Sequence, residues 1–172
     1  MTTILVALDG SDHSRRALAL AIDLAKLQHA DLTLLHVEDD RPVAEGDRHL
    51  MAVEFNQQLK RYSSLLPAYA EGGYLPIVAE GPPVPPDATL RAAMEEAILE
   101  DAAREARRAG VAARKLARQG DAGKQIVSAA EEVGAELIVM GRRGLNTLEE
   151  LLLGSVSRKV LRESRRNVLT VV

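Results

Sequence analysis

Apolar residues along this chain alternate between short continuous runs and longer stretches with helical spacing, and that alternation predicts strands separated by helices. Thr3 to Leu8 is a β-branched and aliphatic run that stops at Asp9-Gly10-Ser11. Asp12 to Gln28 follows with Ala17, Leu20, Ala21, Leu24 and Leu27 on a helical stripe. Leu32 to Val37 reads as a second strand, polar only at Thr33 and His36, as expected of a strand covered on both faces. A long helix is expected from Asp87, as its cap, to Ala109, with Leu90, Met94, Ile98, Ala102 and Ala106 four residues apart and Gly110 ending it. Val111 to Arg118 is a weaker strand whose Arg114, Lys115 and Arg118 suit a sheet edge. Asp121 to Val133 reads as a helix presenting Ile126, Ala129, Ala130 and Val133. Glu136 to Met140 reads as a strand, the stretch opened by Ser155 as a helix with Val156, Val160 and Leu161 on one face, and Val168 to Val172 as a final strand.

Five strands with helices between them imply right-handed crossovers and a parallel sheet with helices on both faces. The stretch from Asp39 to Asp87 interrupts this rhythm. It holds all seven prolines, five of them between Pro76 and Pro86, and is expected to be an insertion of about 39–87 in a single domain. At 172 residues, 47% hydrophobic, the chain suffices for one such core. Its net charge of -3, with Lys and Arg spread along the sequence, offers no basic face for duplex nucleic acid. The four aromatic residues, Phe55, Tyr62, Tyr69 and Tyr74, give no stacking platform for single strands. Without cysteine there is no thiolate chemistry. No apolar run is long enough to span a membrane and no signal-like segment opens the sequence, so a cytoplasmic protein is expected.

The candidate chemistry lies at Val139-Met140-Gly141-Arg142-Arg143-Gly144, followed nine residues later by Gly154-Ser155-Val156-Ser157. Strand, glycine loop and helix start succeed one another there. Such an arrangement suits a phosphate chain, because glycines let backbone N–H groups approach oxygens and the first helical turn carries unpaired donors and a positive dipole end. On the glycines alone, a loop that merely collects them for its turns fits equally well. Other nucleotide motifs fail. Gly123-Lys124 is followed by Gln125 and has Arg118 where a P-loop needs its first glycine, and no dinucleotide-type glycine cluster follows a strand. His13, His29, His36 and His49 lack metal-ligand spacing, with His36 read as a satisfied core histidine, and no catalytic base is assigned.

The spacing Gly141-x2-Gly144-x9-Gly154-Ser155, together with Ile4 to Ser11 and Leu34-Leu35-His36-Val37, resembles the ATP-binding branch of the universal stress protein family. The resemblance covers nearly everything outside the insertion and implies a doubly wound sheet of order 3-2-1-4-5. In that order the first and fourth strands are neighbours, and a ligand crevice is expected at their carboxyl ends. Carried over, Ala7, Asp9 and Val37 would contact adenine or line its pocket, and Met140 and Gly141 would lie along the ribose and phosphates. Gly144, Gly154, Ser155, Val156 and Ser157 would bind the phosphate chain, and Arg142 joins the ATP-binding positions. Asp9 has a second reading, a turn carboxylate bonding the amides of Ser11 and Asp12. The sequence departs from the family pattern at Arg165-Arg166-Asn167, where many members have proline before the last strand. It departs again at Glu149-Glu150 in the spacer, whose charge Arg142, Arg143 and Arg158 are placed to offset. The implied protein is an ATP-dependent stress-response switch with Mg2+ accompanying the phosphates. A slow ATPase or self-phosphorylating protein using Ser155, Ser157 or Thr170, and a scaffold that binds no nucleotide, are the alternatives. The final strand, uncharged and at an edge, is expected to pair with a second copy in a homodimer through Val168 to Val172.

Overall fold

A computed structural model describes residues 2–38, 88–142 and 153–172, apart from the side chains of 88–90 and 93. The expected insertion, the Asp87 cap and the positions Arg143, Gly144, Glu149 and Glu150 lie outside these residues. The elements run β1 (Thr3–Leu8), α1 (Asp12–Gln28), β2 (Asp31–Glu38), α2 (Ala88–Arg108), β3 (Ala113–Gln119), α3 (Ala122–Glu132), β4 (Leu137–Gly141), α4 (Ser155–Glu163) and β5 (Asn167–Val171). All pairings are parallel and the sheet order is β3-β2-β1-β4-β5, as expected.

The continuous apolar runs have their cause in two cores, one on each face of the sheet. Ile4, Val6, Leu32, Leu34 and Val139 meet α1 and α2 through Ala17, Leu18, Ala21, Met94 and Ile98. Leu5, Leu35, Ile138 and Met140 point the other way, onto Ile126, Ala129 and Ala130 of α3 and Val160 of α4. Ile4, Leu5 and Val6 are all fully buried, so β1 has no polar face to show. Among the described residues no helix is long and apolar enough to cross a membrane.

Beside one-residue shifts at the ends of β2, β4 and β5, two boundaries differ from expectation for a local reason. Val111 does not open β3. Its amide donates to Ala106 O at 2.9 Å while Gly110, at φ 77°, turns the chain, so Val111 belongs to the end of α2. Val133 likewise caps α3, its N–H returning to Ala129 O, instead of extending it.

The β3 edge carries its charges in use. Arg114 Nε donates to the buried Thr33 Oγ1 at 2.9 Å, Arg118 pairs with Glu132, and Lys115 Nζ reaches Glu96 and Glu100 of α2 at 2.7 and 3.1 Å. Its hydrogen bond to Lys115 holds the Glu100 carboxyl below the usual 4.5, and bonds to Glu96 and Glu100 hold Lys115 above the usual 10.5. Glu100, being depressed, therefore contributes stability above about 4.5 that is lost as pH falls through its folded value. Lys115, being raised, contributes up to about 10.5 and loses it as pH rises beyond. Lys115→Met is expected to lower the urea midpoint slightly at neutral pH and to flatten both limbs by the same small amount, because the groups are exposed. An acid limb as steep as that of the wild type would contradict this.

Candidate functional site

The crevice forms where β1 and β4 lie side by side and their chains leave in opposite directions. β1, β3 and β4 each precede a helix in the chain, so the first turns of α1, α3 and α4 face the same rim of the sheet. Between them lies a cavity of about 90 Å3. Ala7, Leu8 and Asp9 from β1 and its turn, Leu35 and Val37 from β2, and Met140 and Gly141 from β4 form its floor. Ser14 of α1, Ala122 and Ile126 of α3, and Val156 and Ser157 of α4 form its walls.

The sequence-based positions Ala7, Asp9, Val37, Met140, Gly141, Val156 and Ser157 thus share one cavity. Gly154 and Ser155 stand beside it as the N-cap and first residue of α4, and Arg142 joins β4 to them; Gly144 is outside the described residues. Leu8, Ser14, Leu35, Ala122 and Ile126 were missed. Leu35 pairs in register with Ala7 and lies two residues before Val37, on the same face, and Ile126 is the first large apolar residue after the Asp121 cap. The signal for Leu35 was present in the strand period.

The turn after β1 is tightly bonded. Gly10 takes φ 78°, which L side chains avoid, and Asp9 Oδ1 accepts from Ser11 N at 3.0 Å. Ser11 Oγ caps α1 by accepting from Ser14 N at 3.1 Å, and Ser14 Oγ donates back to Ser11 O at 3.0 Å. Asp9 therefore performs its turn role and lines the cavity at once. His36 is satisfied as expected: Leu8 O lies 2.8 Å from Nδ1, and since a carbonyl only accepts, Nδ1 carries the proton.

Around α4 the bonding differs from a simple array of hydroxyls. Ser157 is 2% exposed and its Oγ donates toward Gly141 O at 3.1 Å and Arg142 O at 2.8 Å, tying α4 to the end of β4. Gly154 N donates to Arg142 O at 3.0 Å, and Arg142 N to Val171 O at 2.7 Å. The first turn of α4 has no side-chain cap, whereas Ser11 and Asp121 cap α1 and α3. Gly154 sits at φ -59°, ψ 158°, a conformation open to any residue, so its value is the absence of a side chain and not backbone freedom. Among the described residues no group of three or more His, Asp or Glu could hold a metal.

A cavity with an apolar floor, one carboxylate and an uncapped helix start can hold a flat apolar ring with an anionic tail beyond it. Comparison with known proteins bears on which class this is. The description "universal stress protein family" matches residues 1–171. The universal stress protein YxiE of Bacillus subtilis is 34% identical over 98% of this chain and 97% of its own length. The solved structure of MJ0577 from Methanocaldococcus jannaschii superposes with a TM-score of 0.62 at 25% identity, over 99% of this chain and 94% of that one. A universal stress protein solved in complex with cAMP superposes with a TM-score of 0.60 at 28% identity, over 99% and 97%. With its sheet order, its two-faced core and this match over nearly its whole length, the chain belongs to the universal stress protein family.

Proposed function

We propose that the chain is one nucleotide-binding domain, interrupted at about 39–87, that binds ATP with Mg2+ in the β1–β4 crevice and acts in the cytoplasm as a nucleotide-dependent stress-response switch. The observation that carries the reading is the convergence of Ala7, Asp9, Val37, Met140, Gly141, Val156 and Ser157, from four separate stretches of sequence, on one cavity. Bound cAMP in a relative adds support for the adenine class.

At about 90 Å3 the cavity is smaller than the roughly 300–1,000 Å3 of a complete ligand site. It suits the base, with ribose and phosphates passing over Gly141 toward the start of α4. There the backbone N–H groups of Ser155, Val156 and Ser157 occupy first-turn positions without intrahelical partners, and the Ser155 hydroxyl is on the exposed side. Ser157 serves the tail through its N–H, its hydroxyl proton being committed to β4. The absence of a side-chain cap on α4 fits a phosphate in that place. Mg2+ would be held chiefly by phosphate oxygens, with Asp9 the carboxylate in the lining. Its chemistry would be charge neutralisation of the tail. The deciding experiment is mass spectrometry of ligand released from freshly purified protein, with ATP expected; release of no nucleotide, together with no binding of added ATP, overturns the reading.

Asp9→Ala tests the pocket from the other end. It is expected to weaken ATP binding and, because Ser11 N loses its acceptor, to lower stability by about 1 kcal/mol. Asp9→Asn keeps an oxygen for Ser11 and should restore the melting temperature but not the affinity. Calorimetric titration of both variants separates the roles, and wild-type affinity in Asp9→Ala would leave Asp9 with the turn alone.

A further inference from the structure

The two walls of the cavity, α3 and α4, also meet at Gly123 and Lys159, which do not line it. A Cβ placed on Gly123 of α3 would lie 2.7 Å from Lys159 Cδ, 2.9 Å from Cγ and 3.1 Å from Cβ. The Lys159 stem therefore occupies the space a side chain would take, and a residue at 123 cannot grow without displacing it. The same lysine then reaches past the glycine, its Nζ 2.7 Å from Asp121 Oδ2 in a pair whose side chains are only 20% and 23% exposed. The other oxygen, Asp121 Oδ1, accepts from Lys124 N at 2.9 Å. One carboxylate thus caps α3 and anchors α4 onto it.

We propose that Gly123 and Lys159 are positioning residues for the ligand pocket, setting the gap between the first turns of α3 and α4; this rests on the nucleotide reading above. Gly123 follows Ala122 and precedes Ile126 by three residues, while Lys159 follows Val156 by three and Ser157 by two, so each is within one helical turn of the wall on its own helix. A helix moves as a stiff body. Displacement at Lys159 is therefore passed to Val156 and to the uncapped turn at Ser155. Two features fix the gap from opposite directions: contact at Gly123 limits how near α4 comes only to the thickness of the lysine stem, and the ion pair prevents it from drifting outward.

The test is calorimetric titration with AMP and with Mg·ATP of wild type, Gly123→Ala, Lys159→Ala, the double variant and Lys159→Met, with circular dichroism on each. Gly123→Ala is expected to raise Kd at least fivefold. In the Lys159→Ala background the same change should alter Kd less than twofold, because the Cγ and Cδ it would strike are gone. Lys159→Met keeps a long stem, loses the ion pair and should raise Kd at least twofold. A merely structural contact would shift melting temperatures and leave Kd in place, and that result overturns the proposal, as does an equal loss from Gly123→Ala in both backgrounds. If Gly123→Ala does not fold, Lys159→Met decides, and wild-type affinity there overturns it. Wild type that binds neither nucleotide overturns the nucleotide reading and this role with it, whereas wild-type binding with unchanged variants overturns this role alone.

Discussion

Saturating Mg·ATP is expected to raise the melting temperature of the chain by about 5–10 °C, and Gly154→Val is expected to abolish the rise. A ligand at a hundredfold its Kd stabilises the folded state by about 2.7 kcal/mol. In a chain of this length each kcal/mol is worth about 2–4 °C. Gly154 is the N-cap of α4, buried, and bonded through its N–H to Arg142 O. Valine is compatible with its φ of -59°, and because the position is buried the melting temperature of the apo variant is measured beside that of wild type, which separates any packing cost from the ligand-dependent shift. What valine adds is a branched side chain at the mouth of the uncapped turn, where the phosphates would approach backbone N–H groups. The comparison is therefore between two folded proteins that differ in the ligand-dependent shift. Differential scanning fluorimetry over a range of Mg·ATP checks it. A wild type that does not shift, or a Gly154→Val protein that shifts as far as wild type, refutes the phosphate placement.

The fold was legible in this sequence because its parallel sheet is buried on both faces. Runs such as Ile4-Leu5-Val6 stay apolar without alternation, and the helices between them announce their ends through Asp121, Gly110 and Gly134. The strand order came from resemblance, since hydrophobic patterns say which residues are buried and not which strand lies beside which. The floor of the site was legible for the same reason as the fold: its residues stand at strand ends. Its far wall was not, because Ala122 and Ile126 read as ordinary helix-start residues until α3 is placed over β2. The role of the Ser157 hydroxyl was also hidden. A serine at the third position of a helix following a glycine suggests a ligand donor, and only the nearness of Gly141 O and Arg142 O shows the hydroxyl turned back onto the strand.

Thr170→Pro is expected to convert a dimer into a monomer that still binds nucleotide, the dimer being a proposal that rests on the contrast between the two sheet edges. Arg114, Lys115 and Arg118 along β3 are bonded to Thr33, α2 and α3 and would have to be stripped from them before another strand could dock. β5 carries no charge or proline: Asn167, Val168, Leu169, Thr170 and Val171, followed by Val172 at 57% exposure. Among the described residues no strand lies beyond it, so such an edge can take a second copy, and a twofold axis closes the contact with two β5 strands antiparallel. The choice of residue follows from the ladder. A strand residue sends its N–H and C=O to the same side, and Val171 O accepts from Arg142 N, so Val171 faces β4. Proline at 171 would cut into the sheet beside Arg142 and the site. Thr170 faces outward. Proline there removes one outward donor per copy, two per dimer, or about 1–3 kcal/mol of net hydrogen bonding, and its ring adds steric bulk to the interface. The inward bonds of β5 remain, as proline is tolerated on an edge strand when its nitrogen faces solvent. Light scattering at micromolar concentration should show wild type as a dimer and Thr170→Pro as a monomer with unchanged ATP affinity. A monomeric wild type refutes the dimer, and a dimeric Thr170→Pro removes β5 from its interface.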